Sequence, residues 1–203
     1  MNTFTKHLTI FFLFGFFGQS FSQKQPADYV NPFTGTANGG NTLPGAVLPW
    51  GMAYISPHND SSDAWSGARY FDGQKTFFGF GQNHLSGVGC ADFANLVITP
   101  VTGDINLEPG IYLMNEQASP GYYSAELSNG IQIEVTVTER TTLSQFNFGN
   151  AGEPAVLFDV SEGTTTSKDA YVQIENNAEI TGFNYSGGFC QTSNSYTIYF
   201  AAR

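Results

Sequence analysis

Positive charge is scarce in this sequence. Seven Lys and Arg stand against 17 Asp and Glu, a formal charge of −10 over 203 residues. A nucleic-acid-binding module needs a basic stripe to displace counterions from phosphate, and this balance excludes one. Charge of either sign is low at 12%, while 19 Phe, 10 Tyr and 2 Trp offer ample surface to bury. That combination excludes a disordered chain, and the length suits one globular domain. Only two cysteines occur, Cys90 and Cys190, and neither belongs to a Cys-x-x-Cys. The three histidines, His7, His58 and His84, are scattered along the chain. A zinc-type site built from these residues is therefore not expected. Helical periodicity is absent as well. No window between 29 and 203 repeats apolar residues at 3.6-residue spacing over ten or more positions, and no internal repeat is visible.

What is present begins with an export signal. Lys6 precedes residues 8–17 (LTIFFLFGFF), an almost unbroken apolar run, and Ser20 and Ser22 fit a small-residue cleavage site before Gln23. Ten apolar residues are too few to span about 30 Å of hydrocarbon as a helix, so residues 1–22 read as a signal peptide and the mature chain has no membrane span. No cysteine stands where a lipid anchor would need one. The expected location is the periplasm or the extracellular space. There Cys90 and Cys190 are free either to form a disulfide or to remain two buried thiols, since geometry decides.

After a polar lead at 23–28, the mature chain reads as β-structure. Ser128-Asn129-Gly130 is a strong hairpin signal between 122–127 and 131–137. In the second arm Ile131, Ile133, Val135 and Val137 alternate with Gln132, Glu134 and Thr136, a period of two with one buried and one wet face. Residues 96–100, Phe146 with Phe148, 155–158 and 196–200 give further strand signals. The 23 Gly and 9 Pro supply the turns that many short strands require. The expected fold is all-β, a twisted two-sheet antiparallel β-sandwich.

Longer strings carry more specific information. Tyr29-Val-Asn-Pro-Phe33, Gly35-Thr36, Leu43-Pro-Gly-Ala46 and Pro49-Trp-Gly-Met52 open the mature chain. Trp65-Ser-Gly67 with Tyr70, then Gly79-Phe80 leading into His84-Leu-Ser-Gly-Val-Gly-Cys90 with Asp92, follow in order. Ala118-Ser-Pro-Gly-Tyr-Tyr123, Thr136-Val-Thr138 with Arg140, and Gly182 with Tyr199-Phe200 come after. Together these strings resemble the N-terminal part of glycoside hydrolase family 92, the exo-acting α-mannosidases, over residues 29–203. The chain departs from the family pattern at Ala37, Asn38, Trp50, Ala68 and Ala91, which bears on linkage preference.

The resemblance implies a calcium-dependent, inverting exo-α-mannosidase that pairs this β-sandwich with a larger (α/α)6 helical domain. The acid, the base and most calcium ligands are expected in that second domain, which the 203 residues do not contain, so no catalytic residue and no metal ligand is expected here. Residues 29–203 then read as a domain incomplete at its C-terminal end, and residues 23–203 alone as inactive and prone to aggregate. The implied partners are mannose-containing glycans and the helical domain of the same chain.

Several residues are candidate sugar or interface contacts on that basis. Trp65 offers a π-face to the C–H face of a sugar, against the alternative of a core tryptophan. His84 offers an imidazole to a sugar hydroxyl or to a carboxylate of the other domain, against a histidine satisfied by its own loop. Asn31, Gly35 and Thr36 bring backbone close to a ligand. Asp92 and Cys90 are read as interdomain or supporting residues, with a loop cap as the alternative for Asp92. No spaced acidic calcium loop occurs. A free-standing carbohydrate-binding sandwich without catalysis is the competing function.

Overall fold

The computed structural model describes residues 23–59, 67–103, 110–165 and 167–203. The export segment 1–22 and Trp65 lie outside the described residues. Twelve strands run in chain order: β1 (Ala46–Val47), β2 (Tyr54–His58), β3 (Gly79–Gly81), β4 (Val97–Thr102), β5 (Leu113–Ser119), β6 (Tyr122–Leu127), β7 (Gln132–Val137), β8 (Thr142–Asn147), β9 (Pro154–Asp159), β10 (Asp169–Asn176), β11 (Glu179–Ser186) and β12 (Tyr196–Ala202). Two short 3-10 turns, Pro26–Tyr29 and Phe189–Gln191, are the helical elements among the described residues. None of these is long and apolar enough to cross a membrane.

The all-β expectation holds, and the strands divide more finely than two sheets. They form a five-stranded sheet in the order β1-β2-β3-β4-β9, a four-stranded meander β5-β6-β7-β8 and a three-stranded sheet β10-β11-β12. Every strand pairing is antiparallel.

The meander follows directly from its sequence. Along β7 the residues alternate strictly between exposed and buried, so Ile133 and Val135 face the core while Gln132, Glu134 and Thr136 face water. At the hairpin Gly130 takes a φ of +89° that a side chain would disfavour. Its N–H donates to Leu127 O at 2.8 Å, and Leu127 N–H donates to Ile131 O at 2.8 Å. The meander's inner face meets β1 and β2. Between them lie Ile55, Tyr70, Phe80, Tyr123, Leu127 and Ile133, all at most 2% exposed. Phe77, Phe80 and Tyr123 pack edge to face, with ring centroids 5.3 and 6.0 Å apart. Each such fully buried side chain contributes roughly 1.5–3 kcal/mol.

A β-bulge interrupts β5 between Met114 and Gln117. It turns Glu116 towards the core, where one carboxylate oxygen accepts from Tyr70 Oη at 2.9 Å and Tyr123 Oη at 2.7 Å. Burial and the adjacent Glu116 charge raise both tyrosines above their ordinary pKa, so these hydroxyls stay protonated and donating.

Candidate functional site

Apart from Trp65, the candidate residues fall in the first and third of three loops beside β2. The first loop runs from Asn31 to Thr42. Asn31 Oδ1 accepts from Phe33 N at 3.0 Å, an Asx turn that starts it. Thr36 is buried and its hydroxyl donates to Phe33 O at 2.8 Å. Gly35 has a φ of +85°, and a Cβ there would press on Thr42 Oγ1 at 2.8 Å. Thr42 N–H returns to Gly35 O at 3.3 Å. Asn31 and the Gly35 backbone are exposed, whereas Thr36 anchors the loop from beneath.

Two cross-links join this loop to the others. Asp72 N–H donates to Thr36 O at 3.0 Å, and Gly87 N–H donates to Asn41 O at 2.7 Å. Asn59, at the end of β2, ties down the 67–74 stretch: its amide donates to Phe71 O and Gln74 O at 3.1 and 2.9 Å and accepts from Phe71 N at 2.8 Å. Gly67 meets the third loop, since a Cβ there would lie 2.7 Å from Cys90 O and from Val88 Cγ2. Asn59 and Gly67, the residues that flank the segment carrying Trp65, are thus both held within this loop face.

The third loop, 82–96, carries His84. Two of the three histidines that are scattered in the sequence are brought together here: His58 Nε2 and His84 Nε2 lie 3.1 Å apart, both rings buried. Strand alternation explains this, because Tyr54, Ser56 and His58 share one face of β2 while Ile55 points into the core. Tyr54 packs edge-on to His84 at 5.9 Å and donates its hydroxyl to Leu43 O at 3.0 Å, joining the first and third loops. In the histidine pair one Nε2 donates and the other accepts, which requires the accepting ring to be neutral. Burial pushes His84 down to about 3. His58 is likewise held well below its ordinary value by burial, then by the neighbouring His84 and Arg69. At neutral pH this pair fixes a geometry; it does not exchange protons.

Asp92 is 1% exposed and faces inward. Its Oδ1 accepts from Tyr196 Oη at 2.7 Å and from Phe93 N at 2.9 Å, and its Oδ2 accepts from Asn194 Nδ2 at 3.4 Å. Phe93 stacks on Tyr196 with ring centroids 4.2 Å apart and planes within 5°. Nearby, Asn95 Nδ2 donates to Asn184 Oδ1 at 3.0 Å, and both residues are buried. Cys90 and Cys190 form a disulfide with Cα atoms 5.2 Å apart, which settles the choice between paired and free thiols. Apart from the local Phe93 N–H bond, these contacts join the third loop to β11, β12 and the connection between them. Phe93, Ala94 and Leu96 hold φ values of +63°, +54° and +60°, costly for residues with side chains and sustained only by such surroundings.

The fit of a calcium ion can be judged from these donors. Calcium selects several carboxylate and carbonyl oxygens. The Asp92 carboxylate is already occupied by neutral donors, and the rest of the cluster offers imidazoles and engaged amides. Among the described residues no three His, Cys, Asp or Glu side chains gather into a cage. Among the described residues the loop face offers no set of donors that fits calcium, and no step is assigned to the ion here.

Sequence reasoning missed His58 as the partner of His84 and Asn59 as the tie beneath the 67–74 stretch. The one available signal was the polar alternation Tyr54, Ser56, His58 opposite Ile55.

The fold and this face define a class: an antiparallel β-sandwich domain that presents a loop-built, disulfide-tied surface. The family model for the glycosyl hydrolase family 92 N-terminal domain matches residues 29–203, and the chain belongs to that family as an N-terminal domain. An α-mannosidase of family GH92 from Bacteroides thetaiotaomicron has a similar structure, with TM-score 0.79 and 30% identity over 86% of this chain and 25% of its own. It has also been solved in complex with mannoimidazole, where 24% of its chain is covered. A GH92 inverting mannosidase from Bacteroides thetaiotaomicron VPI-5482 matches with TM-score 0.69 and 26% identity, over 88% of this chain and 25% of its own. A protein of Arthroderma benhamiae described as an uncharacterized secreted glycosidase is 32% identical over 165 residues, 72% of this chain and 21% of the relative. The chain therefore spans about a fifth of that relative and a quarter of those structures.

Proposed function

We propose that this chain is the N-terminal domain of an exported, inverting exo-α-mannosidase that releases terminal α-mannosyl residues from glycans. The observation that carries the reading is the family match over residues 29–203, together with the mannosidase that shares 30% identity over 86% of the chain. The convergence of the 31–42, 67–74 and 82–92 loops supports a role for this face at the sugar site. On this reading Trp65, Asn31 and the Gly35 backbone contact sugar. Thr36 and the His58–His84 pair hold the contacting loops, and Asp92 with the Cys90 disulfide fixes the third loop.

In an inverting reaction one carboxylic acid protonates the leaving oxygen and one carboxylate activates water on the opposite face of the sugar. Those groups, and the calcium that the family resemblance implies, belong on this reading to a helical domain of the same polypeptide. The isolated residues 23–203 are accordingly inactive. The test is proton NMR of an α-mannoside incubated with calcium and the longer polypeptide in which this domain is joined to the helical domain. β-Mannose as the first-formed product supports the proposal; first-formed α-mannose, or no hydrolysis, rejects it.

A further inference from the structure

The outer face of the β5–β8 meander is unusual for a solvated sheet. Strand register lays its side chains in rows across the four strands. Gln117, Ser124, Glu134 and Gln145 form one row, and Glu126, Gln132 and Asn147 form the next. Tyr122 and Leu143 border them, each paired with Thr136 of β7. The bulge in β5 places Asn115 at a φ of +52° and sends its amide over this face to Glu126 Oε2 at 2.9 Å. Bulges re-aim side chains in this way at functional faces. The rows line an open, polar hollow of about 460 Å³ on the sheet surface.

The chemistry of the lining selects its ligand. Amides dominate, and each both donates and accepts, as a sugar hydroxyl does. An apolar ligand would strand these groups without partners. Lys and Arg are absent from the lining, and Glu126 and Glu134 repel anions, which excludes phosphate-bearing or uronic-acid chains. The Tyr122 ring, fixed by its hydroxyl bond to Glu134, supplies a face for the C–H side of a pyranose.

We propose that this hollow, formed by strands rather than by the loops of the candidate site, is a second glycan-binding surface that takes a neutral, hydroxyl-rich sugar chain.

The test is affinity electrophoresis of the polypeptide that joins this domain to its helical domain, through native gels containing a neutral α-mannan, with EDTA present to silence calcium-assisted contacts elsewhere. Retardation is expected. It should weaken about tenfold in apparent Kd both in Gln132→Ala/Gln145→Ala and in Tyr122→Ala, the loss of one or two good contacts. Tyr122→Phe, which keeps the ring, should retain most of the binding. Thermal melts of the same variants confirm that they fold, and the glutamine positions are exposed strand sites where substitution is mild. The inference is overturned if mannan does not retard the chain, if folded variants are retarded as strongly as the parent, or if polygalacturonate retards it equally. Hydrolysis of a small aryl α-mannoside is scored separately, so loss of the mannosidase reading and loss of this one are distinguishable.

Discussion

The β5–β8 meander and the 82–96 loop are held in place by different physics. The meander buries one side of each alternating strand, and its core residues Tyr123, Leu127, Ile131 and Ile133 are at most 1% exposed. Its geometry follows from backbone pairing plus non-directional apolar burial. The loop has little periodic structure of its own. It is fixed by a disulfide, a carboxylate with four donors, a histidine pair and several left-handed residues. The first kind of region tolerates variation in detail; the second depends on particular atoms, as expected where a loop must present chemistry from a rigid support.

This contrast can be broken from either side. Ile133→Ala removes buried volume where the meander cannot collapse around it, and should cost about 2–5 kcal/mol. Chemical denaturation should show a lower midpoint with an unchanged slope, which marks lost stability without a changed fold.

Replacing Cys90 and Cys190 together by Ala should cost about 2–4 kcal/mol, because the disulfide closes a long loop in the unfolded chain. The sequence separation is 100 residues. The loss should concentrate in the junction between the third loop and the β10-β11-β12 sheet. Hydrogen exchange should therefore speed up at 82–96 and 184–196 while the β6–β7 amides stay protected.

The smallest effect concerns pH. In the unfolded chain both imidazoles titrate near the ordinary 6.5, whereas in the fold burial holds His84 down at about 3 and His58 well below its ordinary value. The unfolded state therefore binds more protons as pH falls below about 6.5, so the pair's contribution is complete above that value and is lost progressively towards pH 3. Melting temperature should fall across this window, and less steeply in a folded His58→Gln variant. Equal slopes in the two proteins would remove the pair from the account.

How much of this was legible follows the same division. Ile131 to Val137 announced its strand and its buried face, and Asn129-Gly130 announced the turn, because both signals are local. β10 was not evident, since Tyr171, Val172 and Ile174 are all exposed and produce no alternation. β1 to β3 are short and embedded in Gly- and Pro-rich sequence, so their pairing is set by tertiary contacts. The first and third loops were marked by motif strings, but what holds them was hidden. The His58–His84 contact spans 26 positions, the Asp92–Tyr196 bond 104 and the disulfide 100. Nothing in local sequence specifies contacts at such separations.

On the proposed reading this domain contributes contacts to a mannose site. Trp65→Ala in the longer polypeptide that includes the helical domain tests it most directly, because the flanking Asn59 and Gly67 are both tied into the loop face. Loss of a positioning contact should lower kcat/KM on an α-mannoside by about a hundredfold while the melting temperature stays unchanged. A folded Trp65→Ala protein with the kinetics of the parent would contradict the claim.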